Sequence, residues 1–223
     1  MVGELPSLQG VIGRYYAIHD GENAFVAEAL DDYYKPRFAG DDLPASVVSQ
    51  AVALADRVDT LVGIFAIGQV PSGVKDPFAL RRAALGVLRI LIEKNIAIDL
   101  QDLLTQAATN FDAAFKAQDA VPLVLEYCLD RLTAYYQDKD VQIEVIQSVL
   151  AIKPTKPIDL DKRVLAVKSF MALPAAASLA AANKRSGNIL KKLKGELPTA
   201  VNEELLSDAA EISFYKTLSS LSD

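Results

Sequence analysis

The sequence predicts an all-α protein, and three observations support this prediction. Apolar residues recur at intervals of three and four along most of the 223 residues. The composition is 51% hydrophobic, rich in Ala and Leu and free of Trp, which favours helices. No alternating run of β-branched residues is long enough to predict a sheet. A mean hydropathy of +0.19 also excludes disorder for most of the chain.

The first part of the chain predicts three helices and a loop. The first helix covers about 5–18 and the second about 22–34. The third helix covers about 44–62, with Pro44 in its first turn, where the missing amide hydrogen costs nothing. Three glycines and one proline in 63–75 then predict a loop, because these residues interrupt a helical pattern.

The clearest helix start follows this loop. Asp76 is the predicted N-cap, because its carboxylate can accept hydrogen bonds from free amides. Pro77 has the preset φ angle of the first helical position, and an apolar stripe begins at Leu80. The same periodicity predicts further helices at about 99–116, 121–137, 140–150, 159–171, 174–194 and 201–218.

Bulk properties narrow the class of protein. No apolar run approaches the roughly 20 residues of a membrane span, and the N-terminus does not resemble a signal peptide. The single cysteine, Cys128, lies among apolar residues and predicts a buried structural thiol in a reducing, cytoplasmic compartment. The net charge of −6 argues against generic binding of nucleic acid. A change in turn composition predicts a domain boundary between about 116 and 121.

One segment is strongly basic. From Asn183 to Lys194 there are five cations and no acid, so the rest of the chain carries a charge of −11. On a helix, four residues spaced by three and four share a face, and we predict this for Lys184, Asn188, Lys191 and Lys192. Lysines suit phosphates, and Asn183, Asn188 and Arg185 suit the base edges of single-stranded RNA. The alternative is a solvated helix face.

His19 and Asp20 end the first predicted helix, and Asp56 follows on the third. This pattern resembles the phosphohydrolases named after their His-Asp pair, which bind a divalent metal. Such a site needs several imidazoles, and the chain has one histidine. We therefore expect a remnant in which His19 and Asp20 hydrogen-bond to neighbouring helices.

Three tyrosine pairs, at 15–16, 33–34 and 135–136, are a further candidate for base stacking. Adjacent helical residues point about 100° apart. We expect one ring of each pair in the core and the other at its edge, which is the alternative to RNA contact.

Four segments together resemble one family. They begin Val-Gly-Glu-Leu-Pro-Ser-Leu-Gln-Gly at 2, Leu-Ala-Asp-Arg-Val-Asp-Thr-Leu at 54, Asp-Pro-Phe-Ala-Leu-Arg-Arg at 76 and Ala-Ala-Asn-Lys-Arg-Ser-Gly-Asn at 181. In this order they are similar to the C-terminal half of the beta subunit of bacterial heterotetrameric glycyl-tRNA synthetase. The resemblance covers essentially the whole chain.

The resemblance implies an HD-like helical domain at 1–117 and a helical anticodon-binding domain at 118–223, which continues past Asp223 in the family. It implies tRNA(Gly), the alpha subunit and the rest of the beta subunit as partners. ATP and Mg are used by the alpha subunit, so no cofactor is expected in this part of the beta subunit, and neither DNA nor a membrane is an expected partner. The chain alone is expected to be non-catalytic.

Carried over to this sequence, the resemblance supports the basic helix, with RNA-binding candidates Asn183, Lys184, Arg185, Asn188, Lys191 and Lys192. It adds Arg131 and Tyr135 at the start of the anticodon domain. Arg81, Arg82 and Arg89 match an arginine-rich helix of the family, whose role is RNA contact or packing against the alpha subunit or the rest of the beta subunit. Two other interpretations stay open: a helical scaffold that binds only protein, and a metal-dependent HD phosphohydrolase.

Overall fold

The computed structural model describes residues 3–72, 75–192 and 201–220. These ranges form α-helices and short 3₁₀ turns, and the one strand-like pairing within them is an isolated bridge between Ser72 and Lys75. The predicted all-α fold is therefore confirmed. The chain divides into two compact units, unit 1 (Met1–Leu173) and unit 2 (Pro174–Asp223).

The described residues contain ten α-helices, which are numbered in chain order. Unit 1 contains α1 (Val11–His19), α2 (Ala24–Asp32), α3 (Val47–Ala66), α4 (Leu80–Glu93), α5 (Leu100–Ala108), α6 (Ala117–Gln137), α7 (Ile143–Leu150) and α8 (Pro157–Met171). Unit 2 contains α9 (Ala176–Leu190) and α10 (Ala209–Ser220). Helix α9 ends earlier than the predicted helix 174–194, because Lys191 and Lys192 lie in the turn after Leu190; positions 193 and 194 lie outside the described residues.

Helices α1 and α2 form a hairpin at the start of unit 1. Gly10 precedes α1 with φ +81°, and a Cβ there would lie 2.8 Å from Asp31 Oδ1, so the tight entry requires glycine. The expectation that one ring of each tyrosine pair is buried is wrong for Tyr15 and Tyr16, which are 67% and 58% exposed.

Helix α3 begins and ends later than its sequence predicts. Ser46 is the N-cap, and its Oγ accepts a hydrogen bond from Ser49 N, so Pro44 lies before the helix and not in its first turn. Gly63 does not start a loop, because α3 continues to Ala66. A Cβ at Gly63 would lie 2.9 Å from the ring of Phe111, so this glycine provides space for packing.

The structure confirms that the Asp76 carboxylate caps a helix, but this helix begins later than the sequence predicts. The Asp76 carboxylate accepts hydrogen bonds from Leu80 N at 2.8 Å and Arg81 N at 3.0 Å. Pro77 lies in the preceding turn, not in the helix, because Ala79 adopts a left-handed conformation at φ 54° and α4 begins only at Leu80.

The core of unit 1 is built around α6. This helix packs against α3, α4 and α5 on one side and against α7 on the other, while α8 packs on α4 and α7. Cys128 is fully buried in α6, and burial raises the pKa of its thiol to about 12, which confirms a structural thiol. Unit 1 extends past the predicted boundary near residue 117, and the division into an HD-like and an anticodon-binding domain stays a prediction.

The length and apolar composition of the helices bear on whether any of them could span a membrane. Within the described ranges, no single helix is long and apolar enough to cross a membrane. The consecutive helices α8 and α9 meet the requirement together, by length and composition only.

Candidate nucleic-acid interface

The basic segment forms most of the second half of α9. Its Ala-rich start favours a helix, and the polar residues that follow are carried on successive turns. Each of the predicted RNA-binding residues on this helix and in the turn after it has an exposed side chain: Asn183, Lys184, Arg185, Asn188, Lys191 and Lys192. The helix therefore presents these groups to solvent.

Four of the predicted residues meet on a single surface. Lys184, Asn188 and Lys192 line an open depression together with Arg185 and the aliphatic side chain of Ile189. Positions 184 and 188 are four apart, so they lie along one side of α9, and Lys192 joins them from the turn that follows the helix. Asn183 on the helix and Lys191 at its C-cap are exposed but do not line this depression.

Within the described residues, acidic side chains do not neutralise the cations of the basic segment. No ion pair within the described residues includes Lys184, Arg185, Lys191 or Lys192. Lys194, the fifth cation of the segment, lies outside the described residues. Exposed lysine and arginine without a carboxylate partner retain their full attraction for an anion such as phosphate. We call this surface, formed by Lys184, Arg185, Asn188 and Lys192, the basic face.

Tyr135 is not available as a surface residue, and its predicted contact with RNA requires correction. Its side chain is 8% exposed, and its ring packs edge-on against Tyr136. The hydroxyl donates a hydrogen bond to Glu93 Oε1 at 3.1 Å, and Lys139 Nζ lies 4.0 Å from the ring centroid. Burial and the Glu93 carboxylate raise the pKa of Tyr135. Stacking on a base would require this ring to leave the core.

Arg131 is half-buried on α6, and its guanidinium carbon lies 5.0 Å from the centre of the Tyr127 ring. Its Nε is shielded from solvent and makes no hydrogen bond within the described part of the chain. This cation–π contact already fixes the side chain. Arg131 belongs to unit 1, whereas the basic face belongs to unit 2.

The His-Asp pair lies at the exposed end of α1. His19 Nδ1 is 3.2 Å from Asp20 Oδ1, and the two side chains are 86% and 70% exposed. The expectation that they hydrogen-bond to neighbouring helices is wrong within the described residues, because they contact each other. Asp56 is exposed on α3. In the described ranges, no three His, Cys, Asp or Glu side chains lie close enough to hold a metal ion.

The arginines of α4 that match the family pattern hold a neighbouring loop. Arg82 Nη1 donates to the carbonyl of Arg37 at 3.0 Å, and Arg89 Nη2 donates to the carbonyl of Asp41 at 3.0 Å. Their packing role is therefore within unit 1.

Arg57 has a related role that sequence reasoning missed. It is 7% exposed and donates to the carbonyls of Ala53, Tyr33, Tyr34, Lys35 and Pro36. Burial lowers the pKa of its guanidinium, and the Asp56 carboxylate partly offsets this. The available signal was its position three residues after Leu54 and four before Leu61, which places an arginine on the apolar stripe of α3.

Comparison with known proteins identifies the family. The sequence model of the glycyl-tRNA synthetase beta subunit matches residues 1–151. The chain is 54% identical over 211 residues to the glycine–tRNA ligase beta subunit of Pasteurella multocida, a match that covers 95% of this chain and 31% of that protein. The same subunit of Aeromonas salmonicida is also 54% identical over 211 residues, with the same coverage.

A third relative, from Actinobacillus pleuropneumoniae, is 52% identical over 221 residues, which is 99% of this chain and 32% of the relative. The chain thus spans about a third of the length of the curated relatives that it matches. A model match over more than half of the residues shows that the chain belongs to the glycyl-tRNA synthetase beta subunit family.

Proposed function

We propose that this chain is a tRNA-binding portion of the beta subunit of glycine–tRNA ligase, from the C-terminal half of that subunit. It positions tRNA(Gly) for ATP-dependent glycylation by the alpha subunit, in the cytoplasm. The observation that carries this proposal is the basic face of α9, which is exposed and without a carboxylate partner in the described residues. Residues 1–117 form the HD-like domain in this proposal, and residues 118–223 belong to the anticodon-binding domain.

The basic face supplies two kinds of contact. Lys184, Arg185 and Lys192 attract phosphates, and the flanking Lys191 adds a fourth charge. The amides of Asn188 and Asn183 can both donate to and accept from the edges of unstacked bases. By analogy with DNA, each good base contact provides about 1–3 kcal/mol of discrimination. Phosphate contacts thus set the affinity, and amide contacts set the preference for one anticodon.

The contribution to catalysis is indirect. Binding energy from a remote part of a substrate can orient its reactive end, which raises the rate without a catalytic residue at the binding surface. The partners in this proposal are tRNA(Gly), the alpha subunit and the rest of the beta subunit. ATP and Mg act in the alpha subunit, and this chain supplies neither a nucleophile nor a metal ligand to that reaction.

Fluorescence anisotropy with labelled transcripts tests the proposal. The chain should bind tRNA(Gly) more tightly than a non-cognate tRNA, and Lys184→Glu/Arg185→Glu should abolish most of the affinity. Lys162→Glu/Arg163→Glu is the matched control, because it reverses an adjacent exposed lysine and arginine on α8. The full-length beta subunit with its alpha subunit is tested in parallel. Absence of tRNA(Gly) binding by both proteins would refute the proposal.

A protein-binding function has support from a different surface. The α1–α2 hairpin exposes large apolar side chains, including Tyr15 at 67%, Phe25 at 63% and Ile18 at 56%. Clustered exposed apolar residues are typical of contacts with protein. This surface fits an interface with the rest of the subunit, and it is compatible with RNA binding by α9.

A further inference from the structure

A cavity of about 380 Å³ lies in unit 1, between α3, the first turn of α4 and the loop that follows α2. Its volume falls in the range of about 300–1,000 Å³ that is usual for small-molecule pockets. Three guanidinium groups line it, those of Arg37, Arg57 and Arg82, together with one carboxylate, that of Asp56. The cavity is therefore suited to an anion.

Three of the four segments that carry the family resemblance meet at this cavity. Gln9 comes from the segment that begins at residue 2, and Asp56 and Thr60 come from the segment at 54. Phe78 and Arg82 come from the segment at 76. Segments that are far apart in the sequence thus contribute polar side chains to one concave surface, which is the usual arrangement of a binding site.

The three arginines differ in the hydrogen bonds that their guanidinium groups already make. Arg57 uses its N–H groups on backbone carbonyls, so it contributes charge and shapes the wall. Arg82 donates one hydrogen bond within the described residues, from Nη1 to the carbonyl of Arg37. Arg37 Nε is shielded from solvent and makes no hydrogen bond there, although Asp41 Oδ2 lies 3.6 Å away. Arg82 and the terminal Nη groups of Arg37, which make no hydrogen bond within the described residues, are thus the groups with donors for a ligand.

The wall also has aromatic surface. Phe78 lines the cavity and is 41% exposed, and Tyr34 lines it from the loop after α2. Aromatic rings stack on nucleobases of any identity, and guanidinium groups bind phosphate through paired N–H donors. The combination of two arginines with aromatic rings in a cavity of this volume matches the chemistry of one nucleotide.

We propose that this cavity binds a nucleotide through its phosphate, with Arg82 and Arg37 as the phosphate donors and Phe78 as a stacking surface. The nucleotide is either free or a single-stranded residue of an RNA chain. Asp56 opposes the phosphate by charge repulsion, because its carboxylate lines the same wall. The cavity lies in unit 1 and the proposal does not depend on RNA binding by α9.

Isothermal titration of the chain tests this proposal with three probes: AMP, 5′-phosphorylated tri-adenylate and adenosine. We expect saturable binding of AMP or of tri-adenylate, and adenosine should bind at least about tenfold more weakly because it lacks the charge-assisted contacts. Binding of AMP would show that a free nucleotide is sufficient to occupy the cavity. Binding of tri-adenylate alone identifies the RNA chain as the source of the phosphate.

Two substitutions with opposite effects separate the site from a folding defect. Arg82→Gln should weaken binding about tenfold, whereas Asp56→Asn should tighten it several-fold, and a misfolded protein cannot show the second result. Lys184→Glu/Arg185→Glu should leave AMP binding unchanged, so failure at α9 is distinguishable from failure here. The proposal is overturned if neither AMP nor tri-adenylate binds, if adenosine binds as tightly as AMP, or if Asp56→Asn has no effect.

Discussion

Arg57 organises the contact between α3, α4 and the loop after α2. Its guanidinium donates to four consecutive carbonyls of the loop, from Tyr33 to Pro36, with distances from 2.8 to 3.4 Å. Carbonyls that lie beyond the end of a helix need such partners, because they cannot bond within the helix. Gly86 of α4 faces the arginine, and its lack of a side chain provides the space.

Gly86→Ala should therefore destabilise unit 1. The added Cβ would lie 2.8 Å from Arg57 Nε and 3.1 Å from its Cδ, and the hydrogen bonds of Arg57 resist the displacement. We expect the free energy of unfolding to fall by about 1–3 kcal/mol, although alanine has the higher helix propensity. Urea denaturation measures this change.

Gly13→Ala is the matched control for this substitution. It lies in α1, and its nearest contact is Leu30 Cβ at 3.9 Å. Its free energy of unfolding should be equal to that of the wild type or slightly higher. Equal stability of Gly86→Ala and Gly13→Ala would show that Arg57 is not held in place by close packing.

At the scale of elements, Glu93 links the end of α4 to α6. Arg89 Nε lies 3.0 Å from Glu93 Oε1, and the Tyr135 hydroxyl donates to the same oxygen from α6. Burial raises the pKa of the Glu93 carboxyl. The hydrogen bonds from Arg89 and Tyr135 and the charge of Lys139 lower this pKa by more than burial raises it. The net result is a pKa below the ordinary value for glutamate.

This shift predicts a dependence of stability on pH. A carboxyl with a lower pKa in the folded state stabilises the fold above its unfolded pKa, and this stabilisation is lost as the pH falls through the folded pKa. The unfolding free energy should thus decrease below about pH 4.3, the ordinary value for glutamate. Glu93→Gln should lower stability at pH 7 and flatten this decrease.

Urea denaturation at pH 7, 5, 4 and 3 tests the prediction, and Glu126→Gln, an exposed position on α6, is the control. A Glu93→Gln variant with the pH profile of the wild type would contradict it.

The elements also show what sequence alone could predict. The capping role of Asp76 and the exposure of Lys184, Asn188 and Lys192 followed from local chemistry and helical spacing, and the structure agrees with both. The role of Gly63 is not predictable from local sequence, because the glycine provides space for the ring of Phe111, which lies 48 residues away in the sequence. The burial of Tyr135 is not predictable either, because sequence spacing does not specify which helices cover a given face.

At the scale of the whole molecule, unit 1 is a helical core and unit 2 carries the basic face. The all-α class was predictable because helical periodicity is local. The cavity between α3 and α4 was not, because its residues come from separate segments that only the tertiary fold brings together. The chain spans about a third of the length of the curated relatives that it matches, so the proposed tRNA binding is best tested in the full-length subunit as well.

The proposed contacts of α9 with the phosphates of tRNA(Gly) should determine how steeply binding depends on salt. The measurement is the slope of log K against log salt for the wild type and for Lys184→Gln/Arg185→Gln. Each phosphate contact contributes roughly 0.7–0.9 to the slope, so the loss of two contacts should make it shallower by about 1.4–1.8. Parallel slopes for the two proteins would contradict the claim, because they would show that these cations release no counterions on binding.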